Sequence, residues 1–276
     1  MAEIIEEGIN IAEKESFFKK NNNIEVQRED RKLKRVDFLG HRCYQTPEGK
    51  YYPSVTTILN SLPSDPFFLQ WLAETGVKNS EIIRDRAARE GTQLHEGIEH
   101  LLNGGKLDWV DEYGNARYNL TVWKMLLKFQ DFYNLVKPET IETEMFLWSD
   151  EYEYAGTTDY LCKVGDETWL LDWKSSNHCH MLSYGAQLAA YANALKERKG
   201  IKVDRCGVVW FKASTRSTKI DLKRNIVQGQ GWQILFVEDM RQAFDVFLLA
   251  NQMYHVISPG PVQPLTASYP TEISLS

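Results

Sequence analysis

The chain has 276 residues, 43% hydrophobic and 25% charged, with eight Trp and thirteen Tyr, which is the composition of a globular protein with a sizeable core. Its 32 Lys and Arg against 38 Asp and Glu give a formal charge of −6, which excludes a protein coated in positive charge that grips nucleic acid all over its surface. A local basic patch, or a bound divalent cation, still allows an anionic substrate.

No apolar run approaches the length of a membrane span, so no membrane partner is expected. The start, MAEIIEEGINIAEKE, is acidic and lacks both a signal-peptide core and the Arg-rich look of a transit peptide; a cytoplasmic location is expected. Cys43, Cys162, Cys179 and Cys206 are scattered with no C-x-x-C pair, which speaks against a zinc ribbon or a disulfide framework and for reduced thiols. There is no internal repeat and no Gly-rich phosphate loop, so no nucleotide cofactor is expected.

Residues 1–35 read as an N-terminal arm whose basic run, Arg28 to Arg35, either touches phosphates or is simply solvated. Val36 to Pro53 alternates and turns, with Pro47-Glu48-Gly49 as the loop of a hairpin. Ser54 caps a helix through Val55, Ile58, Leu59 and Leu62, and Pro66 starts another that runs through Phe67, Leu69, Trp71 and Leu72 to Gly76. A long helix is predicted from about Ser80 to Leu102, closed by Gly104-Gly105, with the apolar stripe Ile83, Ala87, Gly91, Leu94, Ile98 and Leu101. Gly91 costs about 1 kcal/mol inside a helix, which points to a close approach by another backbone or a ligand. His95 sits one turn on, beside the stripe, and reads as either a hydrogen-bonded core residue or a ligand; Glu96, Glu99 and His100 read as solvated face.

Residues 103–117 form a polar loop, and Tyr118 to Val136 a helix with Lys124 and Lys128 four apart on one side. Thr140 to Trp148 alternates as a strand with Glu142, Glu144, Phe146 and Trp148 on one face. Tyr154 to Val164 and Thr168 to Trp173 then make a β-hairpin about the two-residue turn Gly165-Asp166. That turn sets Val164 against Glu167, and counting back brings Asp159 opposite Asp172 on one face, with Lys174 two residues on. Two carboxylates whose Cβ atoms stand about 5 Å apart repel unless a cation lies between them, and an ammonium beside them suits an anion. The approach Gly156-Thr157-Thr158 lets backbone or substrate come close.

After Lys174 comes a turn in which His178 and His180 lack further ligands at metal spacing and read as loop histidines. Ser183 to Lys199 is an Ala-rich helix stopped by Gly200, with Gln187 and Tyr191 on one face. Val203 to Lys212 is a buried strand, and Thr215 to Arg224 is a loop whose Arg216, Lys219, Lys223 and Arg224 form either a second phosphate patch or a solvated hairpin. Met240 to Ile257 closes the domain as a helix, and residues 258–276, with four prolines, read as an extended or disordered tail.

Five of these pieces occur in one order: Pro53 to Leu59 (PSVTTIL), A-A-x-x-G-T-x-x-H at Ala87 to His95, G-x-x-D at Gly156 to Asp159, D-x-K at Asp172 to Lys174, and Q-x-x-x-Y at Gln187 to Tyr191. Over about Tyr52 to Tyr191 the chain therefore resembles the PD-(D/E)XK nuclease superfamily, in particular its RecB-like branch of phage, bacterial and mitochondrial DNA exonucleases. The resemblance implies an α/β restriction-endonuclease-like core over residues 36–257. Its central mixed sheet would contain the Thr140 strand, the hairpin and the Val203 strand, with helices on both faces. It implies Mg²⁺ or Mn²⁺ held by Asp159, Asp172, the Trp173 carbonyl and His95, with Lys174 stabilising charge or positioning water. Glu144 is then a further metal-facing carboxylate or a surface glutamate. Gln187 and Tyr191 would face substrate, and Ser54 and Thr56 would lie near the DNA entrance.

Some members of the branch carry an iron–sulfur cluster on four grouped cysteines; the spacing here does not match and none is expected. The implied activity is metal-dependent hydrolysis of single- or double-stranded DNA with a free end, in recombination, repair or replication, in a bacterial or phage-infected cell. Recombination or replication proteins are the implied partners. The rival readings are a catalytically idle DNA-binding subunit of such a complex and a different metal-dependent hydrolase.

Overall fold

The computed structural model describes residues 34–38, 41–258 and 273–274. The expected arm and tail therefore lie outside the described residues, apart from Lys34, Arg35, Ser258, Ile273 and Ser274. Lys34 and Arg35 belong to a strand, not to an arm. β1 (Lys34–Phe38), β2 (His41–Gln45) and β3 (Tyr51–Pro53) form a small antiparallel sheet, with Gly49 taking the φ of 83° that the turn before β3 requires.

Helices follow as the spacing predicts. α1 (Val55–Leu59) is capped by Ser54, whose Oγ accepts from Thr57 N at 3.0 Å, and α2 (Pro66–Thr75) is capped by Asp65 with Pro66 at its first position. α3 (Val77–Leu102) starts three residues earlier than its apolar stripe suggests, because Gly76 at φ 77° ends one helix and admits the next. α4 (Leu120–Val136) begins at Asn119, whose side chain accepts from Val122 N.

The strands β4 (Glu139–Ser149), β5 (Tyr154–Val164) and β6 (Glu167–Lys174) come next, and α5 (Met181–Lys199) crosses over to β7 (Arg205–Trp210). Three further strands, β8 (Lys219–Asp221), β9 (Ile226–Gly229) and β10 (Trp232–Phe236), precede the closing helix α6 (Met240–Ile257). The seven-stranded sheet has the order β4-β5-β6-β7-β10-β9-β8 and is mixed: β6 and β7 are parallel, as a helical crossover requires, and the other pairs are antiparallel. Helices cover both faces. This is the α/β architecture expected, a central mixed sheet flanked by helices.

Two cores sandwich the sheet. On one face Leu161, Leu170 and Val208 pack under Val55 and Ile58 of α1, Ala186 and Ala190 of α5, and Phe247 of α6. On the other, Trp169, Trp173 and Phe211 pack under Leu94 and Ile98 of α3 and Leu126, Phe129 and Phe132 of α4. The Trp173 ring meets Phe129 and Phe132 edge-on at 5.5 and 5.8 Å. Burying one such ring removes on the order of 200 Å² from water, about 5 kcal/mol gross, so a one-residue slip of β6 is strongly disfavoured. Trp173 thereby locks Asp172 and Lys174 to the other side of their strand.

β8 lies within Thr215 to Arg224, expected to be a basic loop or a solvated hairpin, and β9 and β10 follow in residues for which no element is predicted. Lys219 lies on β8 at the sheet's outer edge, and Arg224 lies beyond it, with Nε 3.7 Å from Asp221 Oδ2. No helix among the described residues is long and apolar enough to cross a membrane.

Candidate metal and catalytic centre

The centre begins where strand pairing stops. β5 and β6 pair from Val164↔Glu167 to Tyr160↔Leu171, so the next step of that register sets Asp159 against Asp172, as the turn predicts. That pair is not made. Asp159 Oδ2 instead accepts from Trp173 N at 2.8 Å, and the two strands part there.

The neighbouring strand is interrupted at the same row. β4 and β5 pair at Thr143↔Tyr160 and Met145↔Thr158, leaving Glu144 and Asp159 unpaired between them, after a bulge between Thr140 and Glu142. Glu144 has φ 48°, a left-handed conformation unusual for a glutamate and costing on the order of 1–3 kcal/mol. Glu144, Asp159 and Asp172 thus occupy one row across three adjacent strands.

His95 completes the group from α3. Its Nδ1 is 3.6 Å from Asp159 Oδ2, and its Nε2 is 3.1 Å from Trp173 O. A carbonyl only accepts, so Nε2 donates, and in the neutral ring Nδ1 keeps its lone pair on the side of Asp159. One turn earlier, Gly91 faces the chain after β6, where a Cβ would stand 3.4 Å from Ser175 Oγ. Ligating atoms of His95, Glu144 and Asp159 all lie within 4.8 Å of one another.

Beside this group, Lys174 Nζ is 2.6 Å from Asp172 Oδ2 and 4.8 Å from the centre of the Tyr184 ring. Gln187 Nε2 reaches Asp172 Oδ1 at 3.5 Å, a long contact, and donates to the Tyr191 hydroxyl at 3.3 Å. Both α5 residues are buried, so they meet the centre through Asp172. All ten residues expected to carry function come together here except for the side chain of Trp173, which lies in the core. Ser54 and Thr56 line the same cavity of about 530 Å³, although Ser54 is itself buried and occupied in capping α1.

The electrostatics are those of a site short of positive charge. Burial pushes the Glu144 carboxyl up to about 8, with Asp159, Glu99 and Asp172 adding to the push and Arg35 opposing it. Burial also raises Asp172 to about 6; Lys174 works against that and Asp159 with it. For Lys174, burial favours the neutral amine, but the Asp172 and Asp159 carboxylates outweigh it and hold the ammonium above its usual range. Lys174 and Asp172 are therefore an ion pair at neutral pH.

Some of the cavity's residues were missed from sequence. Glu96 and Glu99, read as solvated face, line the cavity, as do Arg35, Arg42 and Tyr44 of the small sheet. Glu99 stands four residues beyond His95, and that helical spacing was the available signal.

The donor set fits a divalent cation. Glu144 makes no hydrogen bond or ion pair among the described residues, and its carboxylate, that of Asp159 and the His95 imidazole converge on one point. Ligands of a small divalent ion stand about 3 to 4 Å apart, so small side-chain rotations would close the group.

No family model matches the sequence, and no curated protein matches it. Among solved structures, a provisionally named exonuclease from Eubacterium rectale is similar to it over 69% of this chain and 77% of that one. The identity is 11% and the TM-score 0.38.

Proposed function

We propose that the chain is a Mg²⁺- or Mn²⁺-dependent deoxyribonuclease, an exonuclease of the RecB-like kind that acts on DNA with a free end in recombination, repair or replication. The observation that carries this reading is the convergence of His95, Glu144 and Asp159 beside the Asp172–Lys174 ion pair in one cavity. The bound ion supplies Lewis acidity, neutralising charge at the phosphate and making water a better nucleophile.

In this reading Asp159, Glu144 and His95 Nδ1 hold the ion, and Trp173 O aims the imidazole by accepting from Nε2. Asp172 has two tasks. Its Oδ2 anchors Lys174, and its Oδ1, contacted only at 3.5 Å by Gln187, is the oxygen left for the ion. Lys174 acts as a fixed cation beside the scissile phosphate, since its raised pKa makes it a poor base at neutral pH. Gln187 and Tyr191 position Asp172, and Ser54 and Thr56 hold the cavity wall formed by α1.

Digestion of end-labelled linear and closed circular DNA, in single- and double-stranded forms, with Mg²⁺, Mn²⁺ or chelator, tests the proposal. The expected result is metal-dependent loss of linear DNA from its ends while circles survive. Binding of DNA without cleavage of any form in either metal would replace it with the idle binding subunit. Cleavage of small phosphate esters alone would point to another hydrolase.

A further inference from the structure

Three lysines converge just past the chain segment that follows Lys174. Phe211 N donates to Lys174 O at 3.1 Å, and Lys128 Nζ donates to Phe211 O at 2.6 Å. Lys212, the next residue, reaches Asn177 Oδ1 through its Nζ at 3.2 Å. Lys124 stands one turn before Lys128 on the same side of α4 and is exposed. The Gly231 turn, at φ 77°, passes so close that a Cβ on it would be 3.0 Å from Lys128 Nζ.

Among the described residues none of these three lysines forms an ion pair. Burial lowers the Lys128 pKa, with Lys212 and Lys124 adding to the effect. The nearby Asp131 accepts from the Trp232 indole at 2.6 Å. Residues 175–177 join the lysines to the centre: Ser175 packs on Gly91 of the His95 helix, and Asn177 meets Lys212. A polyanion lying across Lys174 and continuing over this segment reaches the cluster next.

We propose that Lys124, Lys128 and Lys212 bind backbone phosphates of the nucleic-acid strand whose cleaved bond lies at Lys174. The proposal rests on the nuclease reading above and adds where the rest of the strand runs. The contact is to phosphate, so it is independent of base sequence and weakens steeply with salt. Lys128 also struts α4 against the sheet; Lys124 and Lys212 are the residues to change.

The test measures binding of labelled single-stranded and duplex DNA by anisotropy in chelator across a salt series, for wild type and for Lys124→Gln/Lys212→Gln. Binding roughly tenfold weaker at about 0.1 M salt is expected, with a log–log salt slope shallower by about 1.4 on single strands or 1.8 on duplex. Lys124→Arg/Lys212→Arg, which keeps the charge, should bind as wild type does; failure of this pair would assign the loss to packing and overturn the proposal. An unchanged slope in the glutamine variant, with wild type cleaving DNA in Mn²⁺, would overturn the phosphate track and leave the nuclease reading standing. A wild type that neither binds nor cleaves DNA would overturn both.

Discussion

The Tyr191 ring fills the space that Gly156 leaves by having no Cβ: a Cβ there would stand 2.6 Å from Tyr191 Cε1 and 3.0 Å from its hydroxyl. Tyr191 is buried and cannot swing aside freely. The glycine of the G-x-x-D motif thus serves α5 packing, and through Gln187 it serves Asp172.

Gly156→Ala should therefore destabilise the protein by about 1–3 kcal/mol through overpacking, lowering the melting temperature by about 2–4 °C per kcal/mol. Adding Tyr191→Leu, which shortens the ring side chain, should recover part of that loss but not the activity. A single variant that melts with wild type would show that the contact relaxes at no cost.

Lys174 is coupled to stability as well as to chemistry. Lys174→Met leaves the Asp172 carboxylate buried without its cation, so about 3–5 kcal/mol of stability should go with the activity. Asp172 already has its folded pKa raised, to about 6, and losing Lys174 raises it further. Stability linked to such a group is fully present below the unfolded carboxyl pKa of about 4 and is lost as pH rises through the folded value. Denaturant titrations should find the variant's deficit larger at pH 8 than at pH 5. Lys174→Met/Asp172→Asn should be more stable than the single variant, and the reverse order would show that Asp172 is not left as a buried charge.

Glu144 carries the corresponding signal for the metal group. Its carboxyl is pushed up to about 8 from an unfolded value near 4.5, so the folded state holds the extra proton between those pH values. Stability in chelator should fall as pH rises from about 4.5 to 8, at most by about 1.4 kcal/mol per pH unit for one proton. Glu144→Gln should flatten that slope, and Mg²⁺ or Mn²⁺ should raise the melting temperature of wild type more at pH 8 than at pH 6. Equal slopes in chelator for the two proteins would place the titration elsewhere.

Strain at the same residue makes a separate prediction. Asn tolerates the left-handed backbone better than Glu and brings no charge, so Glu144→Asn should stabilise the chelated protein by about 1 kcal/mol at pH 8. Activity should fall at least tenfold, since one of the three converging donors is gone. A less stable Glu144→Asn protein would mean that the backbone there is held without strain.

The β5–β6 hairpin was legible because a Gly-Asp turn fixes register, and period-two alternation converts register into which carboxylates meet. Gly91 is legible only as a place of contact: what meets it is the Ser175 side chain, at a distance a Cβ would tolerate, and not the backbone or ligand its glycine suggests. Glu144 is a candidate carboxylate through the resemblance alone, and its left-handed φ is not legible, since it runs against local preference and is imposed by tertiary structure. Glu99 reads as solvated face because a single helix shows its polar side but not the sheet end that side meets. β9 (IVQG) and β10 (WQILF) are not legible because segments of four and five residues beside a basic run are too short to show a period until Trp232 and Ile234 find the core.

His95 and Tyr191 lie at opposite ends of one contact chain. His95 Nδ1 is 3.6 Å from Asp159 Oδ2; Asp159 and Asp172 share a row of the sheet; Gln187 then links Asp172 to Tyr191 at 3.5 and 3.3 Å. In the proposed enzyme the first end holds the ion and the second holds the carboxylate that anchors Lys174. His95→Ala should weaken Mn²⁺ binding by at least about 10–100-fold, the range usual for losing a group that only orients a metal ligand. Tyr191→Phe removes only the hydroxyl that accepts from Gln187, so it should lower kcat several-fold with metal affinity little changed. Because both act on one carboxylate row, the double variant should depart from additivity by more than about 0.5 kcal/mol in kcat/KM, the limit within which independent sites add. Strict additivity in that cycle would show that Tyr191 serves α5 packing alone.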